Sequence, residues 1–133
     1  MALTRDNHFV PQLYLKNFAT ASGEVLEYRI LVSRSSVPVW KPVNVAGTGY
    51  EKNLYTRIVR GEEADDIEHW LNREFESPAK EPFIKVLANQ ELKQSDWKIL
   101  VRFLASQIVR TPGFLIRSLP LWNRMAPVVL KSL

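Results

Sequence analysis

The sequence predicts an α+β fold: a short N-terminal helix, a small antiparallel β-meander, then a bundle of three to four helices. Two patterns carry this. Between Leu26 and Val59 apolar residues alternate with polar ones at the period of two that half-buried strands require. From Glu62 onward they recur at three-and-four steps, the period of a helix buried on one side. Size sets a third bound: 133 residues, 46% hydrophobic and including four Trp, four Tyr and six Phe, suffice for one sizeable core. A single domain over 1–133 is expected, with 1–20 as the initial helix, 23–60 as the meander and 62–133 as the helical part.

The first helix starts at Pro11, whose missing N–H is one that a helix start leaves unpaired anyway. Leu15, Phe18 and Ala19 then share a face expected to be buried. Ala21-Ser22-Gly23 reads as a turn into a strand on Leu26, Tyr28, Ile30 and Val32, with Ser33 to Ser36 turning the chain back. Val37, Val39, Val43 and Val45 continue the strand period, although Pro38 and Pro42 confine it to an edge. A third strand is expected over Leu54–Val59, ending at Gly61. The helical part then opens with Ile67, Trp70, Leu71 and Phe75 on one face and is interrupted or restarted at Ser77-Pro78, with Ile84, Leu87 and Ala88 as the next apolar face. The strongest helix runs from Trp97 through Arg110, capped by Ser95 or Asp96, with Leu100, Val101, Leu104 and Ile108 as its expected buried stripe.

Net charge is +4, unevenly spread. Glu62, Glu63, Asp65, Asp66 and Glu68 form an acidic cluster, whereas beyond Asp96 only Lys98, Arg102, Arg110, Arg117, Arg124 and Lys131 carry charge. Four of these, Arg110, Arg117, Arg124 and Lys131, recur every seven residues and drift only about 20 degrees per step around a helix, so they are expected to form one basic stripe. Such a stripe is either the solvated edge of a core-covering helix or a face for phosphate or nucleic acid. There is no cysteine, hence no disulfide framework and no cysteine zinc site, and a reducing compartment fits. The amino terminus lacks the apolar stretch of a signal peptide and no run is long enough to span a bilayer, so a cytoplasmic location is the expectation.

His8 precedes the first helix, where the positive end of the dipole favours a neutral ring that can act as base, ligand or hydrogen-bond partner. The commoner alternative is that it ties the terminus to a neighbouring element. The segment His8-Phe9-Val10-Pro11, followed by Tyr14, Leu15 and Phe18, resembles the H-x-V-P-x-x-Y-L-x-x-F opening of the family catalogued as domain of unknown function 4238. Glu51 to Thr56, Ile67-Glu68, Phe75-Glu76-Ser77 and the Q-x-x-R-T-P segment from Gln107 to Pro112 extend the resemblance in order. It implies no reaction, because members of that family as a class have no assigned activity. Members continue to a later S-D-N-P segment that nothing here matches, so the chain is expected to be short at its carboxy terminus and, if that segment supplies a carboxylate, a reduced form.

The matching polar residues admit two readings. In one, His8 is a base, Glu68 an acid or metal ligand and Arg110 a fork for phosphate or carboxylate, with Tyr14, Tyr55 and Gln107 beside them. In the other they form a buried polar network, with Arg110 bidentate to Glu68 or Glu76. Asp65 or Asp66 with His69 has chelating spacing, but a third ligand is not evident, so no metal is expected. Nucleophile elbow, Walker loop and dinucleotide fingerprint are all absent, so no cofactor is expected. The expected function is a noncatalytic interaction or regulatory protein. It would meet a protein partner or another copy through the apolar tail of Leu119, Leu121, Trp122, Val128, Val129 and Leu130. The alternatives are a hydrolase- or nuclease-like module using His8, Glu68 and Arg110, and a nucleic-acid or phosphate binder using the basic stripe.

Overall fold

The computed structural model describes residues 3–31 and 34–131, with side chains of the last helix described through Pro127. Val32 and Ser33 of the predicted strand and turn, and the side chains of Val128, Val129 and Leu130 of the predicted contact tail and of Lys131 of the predicted stripe, therefore lie outside the described residues. The chain divides into two compact units, Met1–Glu68 and His69–Leu133.

The amino unit carries the strands, paired two by two. β1 (Asp6–His8) runs antiparallel to β4 (Tyr50–Lys52), setting His8 opposite Tyr50. β2 (Glu24–Tyr28) pairs with β3 (Trp40–Asn44) as the expected hairpin, and β5 (Arg57–Val59) pairs with β6 (Glu62–Ala64). Among the described residues these are three separate two-stranded sheets, antiparallel as expected but not one continuous meander. Turn chemistry explains the separation. Asn53 sits at φ 56° and its carbonyl accepts from the Thr56 N–H, so Asn53 to Tyr55 turn and the predicted third strand begins only at Arg57. Arg60 and Gly61, at φ 54° and 84°, then close a tight hairpin of the kind that needs two left-handed residues. Pairing with β5 claims Glu62 to Ala64, and the helix expected from Glu62 starts at Asp66 instead.

α1 (Gln12–Leu15) is a single turn that tightens into a 3-10 turn over Lys16–Phe18. Pro11 is its cap, at ψ 137°, and not its first helical residue. Phe18, expected to be buried, is 62% exposed, because the tightened turn moves it off the face that Leu15 presents. Three members of the acidic cluster are engaged within this unit. Glu63 pairs with Arg5 at 2.7 Å, Asp66 accepts a two-pronged bond from Arg57, and the Asp65 carboxylate takes the Thr4 N–H at 2.9 Å. Asp66 holds the Arg57 guanidinium above its ordinary value, chiefly through that hydrogen bond.

The carboxy unit is helical. α2 (Asp66–Leu71) runs into a π-helical turn, Asn72–Glu76, and then into α3 (Ser77–Leu87), so Ser77-Pro78 restarts the helix without interrupting the chain direction of helical residues. α4 (Gln94–Val109) and α5 (Pro112–Lys131) follow. Phe103 is fully buried and meets Phe83 edge to face, at 5.0 Å between ring centroids, with Leu71, Ala79, Pro82 and Leu100 also buried. The buried faces of two helices differ from expectation. On α3 Ala79 and Pro82 are inside while Ile84 and Leu87 are exposed. On α4 Asp96, Leu100, Phe103 and Ser106 are inside, and Val101, Leu104 and Ile108 are outside. Polar anchors set that rotation. The inward Asp96 carboxylate takes the Lys93 backbone N–H at 2.9 Å and the Lys85 ammonium at 3.1 Å, and the Ser106 hydroxyl donates to the Phe103 carbonyl. Among the described residues no single helix is long and apolar enough to cross a bilayer; α4 and Pro112–Pro127 reach that composition only together, across a 73° bend.

Candidate functional site

The opening signature is built around Asn7, a residue the sequence reading passed over. Its side chain is fully buried, donates to the Thr4 carbonyl at 3.1 Å and accepts the Tyr55 N–H at 3.1 Å. One amide thus closes two backbone groups that would otherwise be buried unpaired. Beside it, the Val10 N–H donates to the Gly49 carbonyl at 3.0 Å. Gly49 lies at φ 68°, and a Cβ there would stand 3.1 Å from that of Val10, so a side chain would meet both backbone strain and a tight contact. Pro11, fully buried, turns the chain and offers its carbonyl to the Tyr14 and Leu15 N–H groups. His8 is half-buried, stacks obliquely on Tyr50 at 5.6 Å and lies 3.4 Å from Gln12 through its Nε2. Tyr14 meets Phe18 edge to face, Tyr55 is buried, and Glu68 is half-buried on α2.

In the carboxy unit the Q-x-x-R-T-P segment is a helix stop followed by a helix start. Arg110 caps α4, Thr111 accepts the Phe114 N–H on its hydroxyl at 3.3 Å, and Pro112 begins α5 with the φ it is locked to. The Arg110 side chain, only 2% exposed, turns inward to Glu76 with Nη1 to Oε1 at 2.7 Å. Glu76 reaches it from the last position of the π-helical turn, whose extra residue also swings Phe75 against Trp70 at 5.1 Å. Gln107, half-buried, donates to the Ser106 hydroxyl at 3.0 Å. Arg110 therefore stands off α5, apart from Arg117 and Arg124, which are exposed on that helix. His69, considered with Asp65 or Asp66 as a chelating pair, is exposed, and among the described residues no group of three or more acidic or histidine side chains converges to hold a metal.

What faces outward from α4 is apolar. Trp97, Val101, Leu104 and Ile108, spaced four, three and four apart, are 58%, 61%, 52% and 68% exposed. On α5 Ile116, Leu119, Leu121 and Trp122 are exposed as well. Lys98 and Arg102 flank the α4 row, and Arg117 and Arg124 lie along α5. The periodicity places Val101, Leu104 and Ile108 on one buried stripe with Leu100, and of those four Leu100 alone is buried.

No curated protein and no solved structure matches the chain. The family described as protein of unknown function (DUF4238) matches residues 6–126, which spans both the Asn7 stitch and the Glu76–Arg110 junction. On that match, covering nearly the whole chain, the protein belongs to this family.

Proposed function

We propose that the protein is a noncatalytic interaction module that associates with a second copy of itself through the outward faces of α4 and α5. The observation that carries this reading is the exposed row Trp97, Val101, Leu104 and Ile108. Contiguous apolar surface of this kind is uncommon on a monomer and marks a contact face. A second copy offers the same row, so the contact is self-complementary about a two-fold axis. Two further observations favour association over chemistry. Arg110, the expected anion fork, is buried against Glu76, and the Asn7 amide uses the opening signature to close backbone groups. Light scattering on a size-exclusion column tests the reading. The wild-type mass should rise toward that of a dimer with loading concentration, while Leu104→Asp and Ile108→Asp stay monomeric and keep the wild-type melting temperature. A wild type that remains monomeric at every concentration removes the reading.

The exposed Arg117 and Arg124 support a second reading, binding of nucleic acid along α5. Affinity for a duplex should then fall steeply with salt and drop on Arg117→Glu.

A further inference from the structure

A separate feature of the carboxy unit concerns a small ligand. A cavity of about 300 Å³ opens between the α2 end and α4, lined by Trp70, Leu71, Phe75, Arg102, Ser106 and Val109, with Ala105 at its wall. Its volume falls at the lower end of small-molecule sites, which run from roughly 300 to 1,000 Å³. Three lining side chains carry a polar group: the Trp70 indole N–H, the Ser106 hydroxyl and the Arg102 guanidinium. The Ser106 hydroxyl is committed elsewhere, donating to the Phe103 carbonyl and accepting from Gln107. That leaves the Arg102 guanidinium as the one charged group of the lining; it rides over the Phe75 ring at 5.4 Å from the centroid. No carboxylate among the described residues pairs with it. The π-helical turn positions both Phe75 in this wall and Glu76 against Arg110, so the cavity is held by the same junction that fixes α4.

We propose that this cavity binds a small amphipathic carboxylate, its apolar body between Trp70, Phe75 and Val109 and its carboxylate on Arg102. The chemistry is that of the lining. An apolar body gains from leaving water, and a single guanidinium, with five N–H donors and no competing internal carboxylate, selects an anionic head over a neutral or cationic one. The inference is independent of self-association, since it rests on the cavity and not on the outward row.

Octanoate, octanol and octylamine, matched in chain length, are the probes, titrated into the full chain while the Trp70 indole N–H signal is followed by NMR, with Trp70→Phe identifying that signal. Octanoate should bind saturably and shift it, octanol should bind at least tenfold more weakly, and octylamine should not bind. Arg102→Gln, at an exposed position, should bring octanoate down to the octanol level without unfolding the chain. Ala105→Trp, which fills the cavity, should abolish binding of both. Equal affinity for octanoate and octanol, binding that survives Ala105→Trp in a folded variant, or no saturable shift with octanoate would each overturn the proposal.

Discussion

Three buried polar residues each anchor the interior of one unit, Asn7 in the first and Asp96 and Arg110 in the second, and each makes a distinct prediction. Asn7 closes the Thr4 carbonyl and the Tyr55 N–H. Asn7→Leu leaves both unpaired in a buried place and should cost about 2–4 kcal/mol, read as a loss of denaturation midpoint. Arg110→Gln removes one partner of a buried pair and leaves the Glu76 carboxylate without the 2.7 Å contact. A loss of about 3 kcal/mol is expected, measured by urea unfolding, with Glu76→Gln recovering part of it in the double variant. Asp96 behaves differently because its effect depends on pH. The Lys93 N–H first, then the Lys85 ammonium, hold its carboxyl below the ordinary value, against the opposing effect of burial. Lys85 in turn is held above its ordinary value, chiefly by Glu81 and then by Asp96. A carboxyl whose folded value is depressed stabilises above its unfolded value, near 4, and loses that stabilisation as pH falls through the folded value. Asp96→Asn should therefore lower the melting temperature at pH 7, and the difference from wild type should shrink below about pH 4.

At the scale of elements, what was legible in the sequence was periodicity, and what was not was direction. The α4 segment shows its helical period plainly, yet two faces compete for the core: Leu100 and Phe103 on one, Trp97, Val101, Leu104 and Ile108 on the other. Hydrophobicity alone favours the second. The inward choice is made by Asp96 and Arg110, whose partners Lys85 and Glu76 lie on other elements and so are invisible to a local pattern. A mutational contrast checks this. Phe103→Ala should cost about 3–5 kcal/mol, as large-to-small changes in a packed core do. Val101→Ala, on the exposed row, should stay within about 0.5 kcal/mol. The third strand begins later than its alternation suggests for a related reason. Asn53 and Arg60 adopt left-handed conformations that redirect the chain, and a run such as Leu54 to Val59 reads as one strand until those turns are known. The β2–β3 hairpin, by contrast, follows from local chemistry and is readable.

Over the whole chain, charge and apolar surface point the same way. Glu63, Asp66 and Asp65 of the amino unit are engaged by Arg5, Arg57 and the Thr4 N–H, whereas Lys98, Arg102, Arg117 and Arg124 edge an exposed apolar surface on α4 and α5. The candidate residues quoted from the family signature were legible as a set; their roles were not, because Asn7 and Glu76, which do the anchoring, become recognisable only from the backbone groups and the guanidinium they meet. Self-association through an apolar row bordered by like charges has a definite salt signature. Added salt screens the repulsion between the basic edges and strengthens apolar contact, whereas binding of an acidic partner or nucleic acid is weakened by salt. Sedimentation equilibrium of the wild-type protein at low and high sodium chloride is the direct test: the account predicts a reversible dimer that tightens with salt and is lost in Leu104→Asp. A monomer at both salts, or a dimer that dissociates as salt rises, would contradict it.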